Sequence, residues 1–567
     1  MSVGGARDNI HEALATLGFE RAPSRAGGPP RYLGHLTVAE REVAVELSIP
    51  CLDFTVFPKV RLLERTRDIP GVAAHIEEDG SICFAAPGSI ILDRYDPAGS
   101  VMLALQQATR TLADGIAGRS APDVPAEFTR YWGGSPFLTS LGLDVADGPA
   151  EVVTMTHSGR LVSVLTRGSS GLEHFPGLSR RIQGRPAYLL GIPGALDLPR
   201  GRPPPDTMSQ LIVWAAGNGG RLAERLVDVF RHRVFRRTPP VVFLAAPNGM
   251  VGIELESPAA LARAAQRPGW LVEQLFRRSG EIRVKRWYGE RIDAAFLVGR
   301  NLAGKASLAG RRVVLVGCGS IGSHLAKFLV QGGAGQQRLG GLWLIDNQLL
   351  SPGNIGRHLL GPEHLHRPKA EALAEVLLRS FPNSNIVPRC VSAMDAECKS
   401  LLQGADLVVD ASGEEALSLA INDMLVQRRP TSPDALYAWL CGNGAAVQAL
   451  FVSGKDWAGA CRKCLHRDLG VPPLYDPVKT GWGAREIPAA CGEAAFLPYG
   501  VGAPAIGAGL ASTICMDWVE GSVPMTLRTL RIDLGVTVEV PGTSPPRIPG
   551  CPCCGGRTEV VSCDALP

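Results

Sequence analysis

The sequence predicts a multi-domain chain: an N-terminal α+β domain, a central α/β region, and a C-terminal α/β domain built on a parallel sheet. Three observations carry this. The chain has 567 residues, several times the roughly 150 that one hydrophobic core organises. Proline and glycine cluster at 21–31, 120–125 and 199–205, where turn geometry outcompetes helix and strand. From Arg311 the pattern becomes strand, glycine turn, helix, strand, the reading of a parallel sheet with crossover helices. The cluster at 120–125 marks a domain boundary, and the expected domains are 1–119, 120–285 and 286–567.

Apolar residues make up 45% and charged residues 20% of the chain, enough material for buried cores and too little charge for disorder. The net charge of +4 is too small to draw the whole molecule to nucleic acid or a membrane, so partners must be sought in local sites. The first residues read as a short amphipathic helix and not an export signal, which makes the cytoplasm the expected compartment. The uncharged stretch from Ala494 to Met516 contains Pro498, Pro504 and several glycines and is a poor bilayer span. In a reducing compartment the 14 cysteines point to metal binding or thiol chemistry and away from disulfides.

In the N-terminal part, VAVELSI and FTVFPKVRLL read as strands, and Ala98 to Ala117 reads as a helix with Val101, Leu105, Ala108 and Leu112 on one face. The central region mixes strands, among them VVTMTHSGRLVSVLT and VVFLAAP, with a helix from Arg221 to Arg237. Six arginines on that helix, opposite Leu222, Leu226, Val227 and Phe230, read as a solvated face. No reactive constellation marks this region, and its role is unassigned.

The chemistry starts at VVLV followed by Gly317, Cys318, Gly319, Ser320, Ile321 and Gly322. Glycines at the end of a buried strand let the backbone turn tightly and approach a phosphate at a helix N-terminus. GLWLI then places Asp346 at a second strand end, where a carboxylate accepts ribose hydroxyls. Alone these residues indicate only a dinucleotide-type fold, with a nicotinamide enzyme or a glycine turn without a ligand as the other readings. Asn354, Arg357 and Lys369 follow closely, and Asp410 closes a later strand. Two fixed cations beside amides suit a triphosphate, and a carboxylate at the next strand end suits its magnesium.

At this point the sequence resembles the adenylating domain of ubiquitin-activating enzymes and their bacterial relatives ThiF and MoeB, over roughly residues 290 to 560. The resemblance implies binding of ATP and Mg2+ by Gly317, Gly319, Gly322, Asp346, Asn354, Arg357, Lys369 and Asp410. It also implies a homodimer in which an arginine from the partner subunit reaches the phosphates. Arg291 and Arg300 both suit that role, with spacing favouring Arg291. Two positions depart from the family: Gln348 replaces a second acid after the ribose aspartate, and His366 stands where a glycine precedes the lysine.

Cys461 with Cys464 and Cys551 with Cys554 are two chelating pairs able to hold one tetrahedral ion, with Zn2+ the natural occupant. The competing reading is unpaired buried cysteines, and Cys553 inside the second pair is a substitute ligand. The resembled family closes such a site across its catalytic segment. Between the pairs lies Cys491, to which the resemblance gives the nucleophile that displaces AMP and forms a thioester. The competing reading of Cys491 is a buried structural thiol.

A second thiol, Cys83, follows a Gly80-Ser81-Ile82 turn, with a Pro-Lys-Val strand upstream and Tyr95-Asp96-Pro97-Ala98 leading into the helix. This order resembles the ubiquitin-conjugating fold over about residues 40 to 117. His75 occupies the place of that family's oxyanion-holding asparagine, and an imidazole N–H is able to donate the same hydrogen bond. A surface histidine without a role is the alternative.

Together the resemblances imply an activating–conjugating fusion like those of bacterial antiphage systems such as CBASS. It would activate a protein C-terminus, a ubiquitin-like protein or a nucleotide-cyclase sensor, and ligate it to a target amine. Two other readings remain open: a ThiF- or MoeB-like adenylyltransferase for a sulfur carrier, or a nucleotide-binding scaffold without catalysis. Nucleic-acid and membrane partners are not expected.

Overall fold

The computed structural model describes residues 3–24, 28–64, 74–77, 79–86, 88–157, 159–168, 180–198, 202–219, 221–231, 241–256, 270–466, 471–482 and 499–555. The chain divides into two compact units, one reaching Ile292 and the other starting at Asp293.

The first unit begins with the helix Val3–Thr16 and an antiparallel sheet of β1 (Glu20–Ala22), β2 (Arg31–Val38), β3 (Arg41–Ser48) and β4 (Lys59–Leu62) in sequential order. In β2 burial alternates, with Tyr32, Gly34, Leu36 and Val38 inward, as a sheet with one wet face requires. Of the run from Phe54 to Leu63, only Lys59–Leu62 pairs as strand. The helix Pro97–Ala117 lays Val101, Leu105, Ala108 and Leu112 on this sheet. Its start is fixed by Asp96, whose side chain accepts from the Gly99 N–H at 2.9 Å, and by Pro97 in the first turn, where a missing N–H costs nothing.

The central strands, expected as an α/β region, close into a barrel. These are β5 (Ser135–Thr139), β6 (Gly148–His157), β7 (Arg160–Thr166), β8 (Arg180–Gly191), β9 (Val241–Ala246), β10 (Gly249–Glu256) and β11 (Arg283–Arg291), in the order β10-β11-β5-β7-β6-β8-β9. Every residue of β9 is buried. Val241, Phe243 and Ala245 join one core cluster, while Val242, Leu244 and Ala246 join another with Trp214, Leu226 and Phe230 of flanking helices. Both faces are covered, which is why this strand reads as a continuous apolar run. The arginine-rich helix spans Leu222–Arg231; residues 232–237 lie outside the described residues.

The second unit holds a seven-stranded sheet of β12 (Arg312–Val316), β13 (Gly341–Ile345), β14 (Ile386–Arg389), β15 (Leu407–Asp410), β16 (Asp434–Cys441), β17 (Ala446–Val452) and β18 (Leu527–Arg531), ordered β14-β13-β12-β15-β16-β17-β18. The first five pair parallel, and β17 pairs antiparallel with both β16 and β18. β12 is central, with β13 on one side and β15 on the other, so the connections reverse direction here and open a crevice at the strands' carboxyl ends. No helix among the described residues is long and apolar enough to cross a membrane.

Candidate active site

Gly317, Asp346 and Asp410 stand at the carboxyl ends of β12, β13 and β15, around that crevice. Gly317 has φ +86°, and a Cβ there would lie 2.6 Å from the Ser412 Cα. A Cβ on Gly322 would lie 1.9 Å from the Gly317 carbonyl oxygen. These two glycines are required by the chain's own packing. Gly319 is different: a Cβ there would meet nothing within 4 Å, so its bareness leaves room for something outside the chain. Gly317, Gly319, Asp346, Gln348 and Ser412 line one cleft.

Asp346 accepts from the Cys318 N–H at 2.7 Å and from the Gln348 N–H at 2.8 Å. Lys369 is 4% exposed and donates to the Gln348 side-chain oxygen at 2.7 Å; the amide takes the ammonium that a second acid would otherwise have held. His366 has φ +62°, in the left-handed region where glycine is most at ease. The turn into Lys369 therefore keeps a glycine-like backbone with a histidine in it. Asn354 accepts from both the N–H and the hydroxyl of Ser351, at 3.1 and 3.0 Å, closing the short helix Pro352–Arg357. The Arg357 guanidinium lies 5.0 Å from the centre of the Tyr499 ring, whose hydroxyl pairs with Ser320 at 2.8 Å. Asp410 is 2% exposed and accepts from the Ser412 hydroxyl at 2.7 Å, the Ser412 N–H at 3.0 Å and the Ser418 hydroxyl. Burial nonetheless holds its carboxyl above the usual range.

The four paired cysteines are buried together, with their sulfurs all within 4.8 Å of one another. Cys461 lies 3.8 Å from Cys464 and from Cys551, and Cys464 lies 3.4 Å from Cys554. Four sulfurs about 2.3 Å from one tetrahedral ion stand about 3.8 Å apart, so the donor set fits zinc. Arg462, between two of these cysteines, is buried over the Trp439 ring at 4.1 Å and donates to Glu415 at 2.6 Å. Its backbone N–H donates to Asn422 at 2.8 Å, and the Asn422 amide donates to Cys553. The cysteine cluster is thereby tied to the helix Glu415–Val426, which begins five residues after Asp410.

In the first unit Cys83 is exposed. Its turn is closed by backbone bonds from Gly80 to Glu77 at 3.0 Å, from Glu77 to Ser81 at 2.8 Å and from Cys83 to His75 at 2.8 Å. Cys83 and His75 are thus cross-strand neighbours. His75 has φ +65°. Its N–H donates to the Tyr131 hydroxyl at 2.7 Å and its Nε2 lies 3.4 Å from Asp123. Arg130 pairs with Glu77.

Arg291 ends β11 of the barrel, and Arg300 is exposed on the helix Ala294–Leu302. Cys491 lies outside the described residues. Sequence reasoning missed His358, Ser418, Glu415, Arg462 and Tyr499 in the second unit, and Asp123 and Tyr131 in the first. Only His358, directly following Arg357, carried a local signal.

Residues 296–533 match the ThiF family and residues 20–135 match the Prokaryotic E2 family B. The chain joins these two domains and is an enzyme of the ubiquitin-activating and -conjugating kind, with ATP-dependent adenylation and ubiquitin-like conjugation as its general activities. It is similar to the "ATP-dependent ubiquitin transferase-like protein Cap2" of Pseudomonas aeruginosa, 29% identical over 98% of this chain and 100% of that one. The Escherichia coli protein of the same name is 22% identical over 92% of this chain and 93% of its own. Among solved structures, E. coli MccB with ATP covers 53% of this chain and 86% of its own, at 17% identity and TM-score 0.35.

Proposed function

We propose that this chain activates the C-terminal carboxylate of a protein, passes it through two thioesters and ligates it to an amine. The carboxylate attacks the α-phosphorus of ATP, releasing pyrophosphate and leaving an acyl-adenylate. The Cys491 thiolate displaces AMP. The Cys83 thiolate then displaces Cys491, and a target amine, a lysine by its chemistry, displaces Cys83 to leave an amide and a free thiol. Gly317, Gly319 and Gly322 receive the phosphates, Asp346 the ribose, and Asn354, Arg357 and Lys369 the charge that develops on the phosphates. Asp410 is the carboxylate that would hold Mg2+, whose charge would offset that of the phosphates. An arginine of a second copy, Arg291 before Arg300, completes the site in a homodimer.

The observation that carries the relay is the exposed Cys83 thiol, on a turn whose backbone is bonded to His75, on the same chain as a nucleotide crevice. A structural cysteine gains by burial; this one is presented to solvent. His75 donates to the oxyanion formed when the amine attacks. Residues 1–119 are the conjugating domain, 286–567 the activating domain and 120–285 the piece that links them. Cys461, Cys464, Cys551 and Cys554 would hold Zn2+ as a structural ion of the second unit. The resemblance to bacterial activating–conjugating fusions favours a cytoplasmic enzyme in antiphage defence, acting on a ubiquitin-like protein or a nucleotide-cyclase sensor.

The test is ATP–pyrophosphate exchange with candidate proteins ending in a free carboxylate, followed by thioester mapping. Exchange that depends on the carboxylate and stops in Asp410→Ala supports the reading. Exchange with thioester only at Cys491 would favour a sulfur-carrier adenylyltransferase. Nucleotide binding with no exchange for any protein would favour a scaffold.

A further inference from the structure

The peptide groups on both sides of Cys318 are tied down, one by an expected residue and one by a residue with no assigned role. The Cys318 N–H goes to Asp346 at 2.7 Å. The Cys318 carbonyl meets the Nε2 of His358 at 2.6 Å, and the His358 Nδ1 is met by the Leu360 N–H at 3.0 Å. A carbonyl only accepts and a backbone N–H only donates, so the two contacts fix the tautomer: the proton is on Nε2 and the lone pair on Nδ1. The ring is neutral, since burial lowers its pKa to about 4. The next residue is tied as well: the Leu359 N–H donates at 3.2 Å to Ser323, a fully buried side chain in the helix Ser320–Gln331 that the glycine turn opens.

A trans peptide directs its C=O and its N–H to opposite sides. Holding the Cys318 carbonyl on His358 therefore aims the Gly319 N–H away from His358. Gly319 lines the cleft and has open space on its Cα. We infer that His358 is a positioning residue for phosphate recognition: its Nε2–H locks the Cys318–Gly319 peptide so that the Gly319 N–H faces the bound triphosphate, and it fastens the adjoining Arg357 to the same loop. This rests on the nucleotide reading above. A preset donor costs no reorganisation when the phosphate charge arrives, whereas a free peptide would have to be oriented at each binding event.

The test uses the full chain and measures ATP and adenosine binding by calorimetric or NMR titration, with KM and kcat for ATP in pyrophosphate exchange. His358→Leu removes the donor, and ATP affinity is expected to fall about tenfold, the scale of one hydrogen bond. Adenosine, which has no phosphate, should bind as in the wild type. His358→Gln keeps an N–H where Nε2 stood, so ATP affinity should return to within about threefold, since most of that bond is restored. A His358→Leu chain that binds ATP normally, or loses ATP and adenosine equally, would overturn the inference, as would His358→Gln failing like His358→Leu. Wild-type protein that binds no ATP would remove the nucleotide reading and this inference with it.

Discussion

The thiol of the first unit and the crevice of the second are built in opposite ways. Cys83 is exposed on a turn closed by three backbone hydrogen bonds, and its neighbours are held by polar ties such as Tyr131 to the His75 N–H. In the crevice Lys369 is 4% and Asp410 2% exposed, and both peptide groups of Cys318 are spoken for. A nucleotide is small and highly charged, so its site gains by orienting dipoles in advance and excluding water. In the proposed relay the Cys83 thiol takes the acyl group from Cys491 and yields it to an amine of another protein, which requires it to protrude. Burial marks the first task and exposure the second.

The difference can be broken most severely at the cysteine cluster. Cys464→Ser should cost the second unit several kcal/mol or more, within the ~10 kcal/mol scale of structural zinc binding. Thermal unfolding followed with zinc analysis should show the C-terminal unit losing metal and melting early, with the N-terminal unit unchanged. An unshifted melt would remove zinc from the account.

Acid should act on the crevice next. Native His358 titrates at about 4 against about 6.5 in an unfolded chain. Between these values the unfolded chain takes up a proton that the native one refuses. Its contribution to stability is therefore whole above pH ~6.5, is lost as the pH falls towards ~4, and amounts to at most about 3 kcal/mol. His358→Gln should flatten this part of the stability–pH curve; an identical curve would show that the imidazole is not held neutral.

The exposed site should respond in rate and not in stability. His75→Ala is expected to slow aminolysis of the Cys83 thioester about a hundredfold in single-turnover assays, with the thioester still formed. The smallest effect concerns the scaffold behind Cys83. Asp96→Ala removes the N-cap of the helix Pro97–Ala117 and should cost about 1 kcal/mol in denaturant unfolding.

What the sequence revealed was local. A glycine turn between an apolar strand and a helix announces its crevice within a dozen residues, so Gly317, Asp346 and Asp410 could be put at strand ends without the structure. The helix read from Ala98 to Ala117 was legible for the same reason, since its apolar spacing lies within its own turns. The rest required chain closure. Nothing in the run VVFLAAP says that its two faces serve different cores. Arg462 reaches Glu415 across 47 residues, Tyr131 reaches His75 across 56, and Ser320 reaches Tyr499 across 179. The departures were visible but not their meaning: His366 looked like a lost glycine, yet the left-handed backbone persists there.

The central claim is that the acyl group passes through two thiols in a fixed order. It is tested most directly by trapping thioesters in one turnover, by mass spectrometry, in wild-type, Cys491→Ala and Cys83→Ala chains supplied with ATP and the activated protein. The expected result is adenylate without either thioester in Cys491→Ala, and an acyl group that accumulates on Cys491 with no ligation in Cys83→Ala. A Cys83→Ala chain that ligates its target at the wild-type rate would contradict the relay.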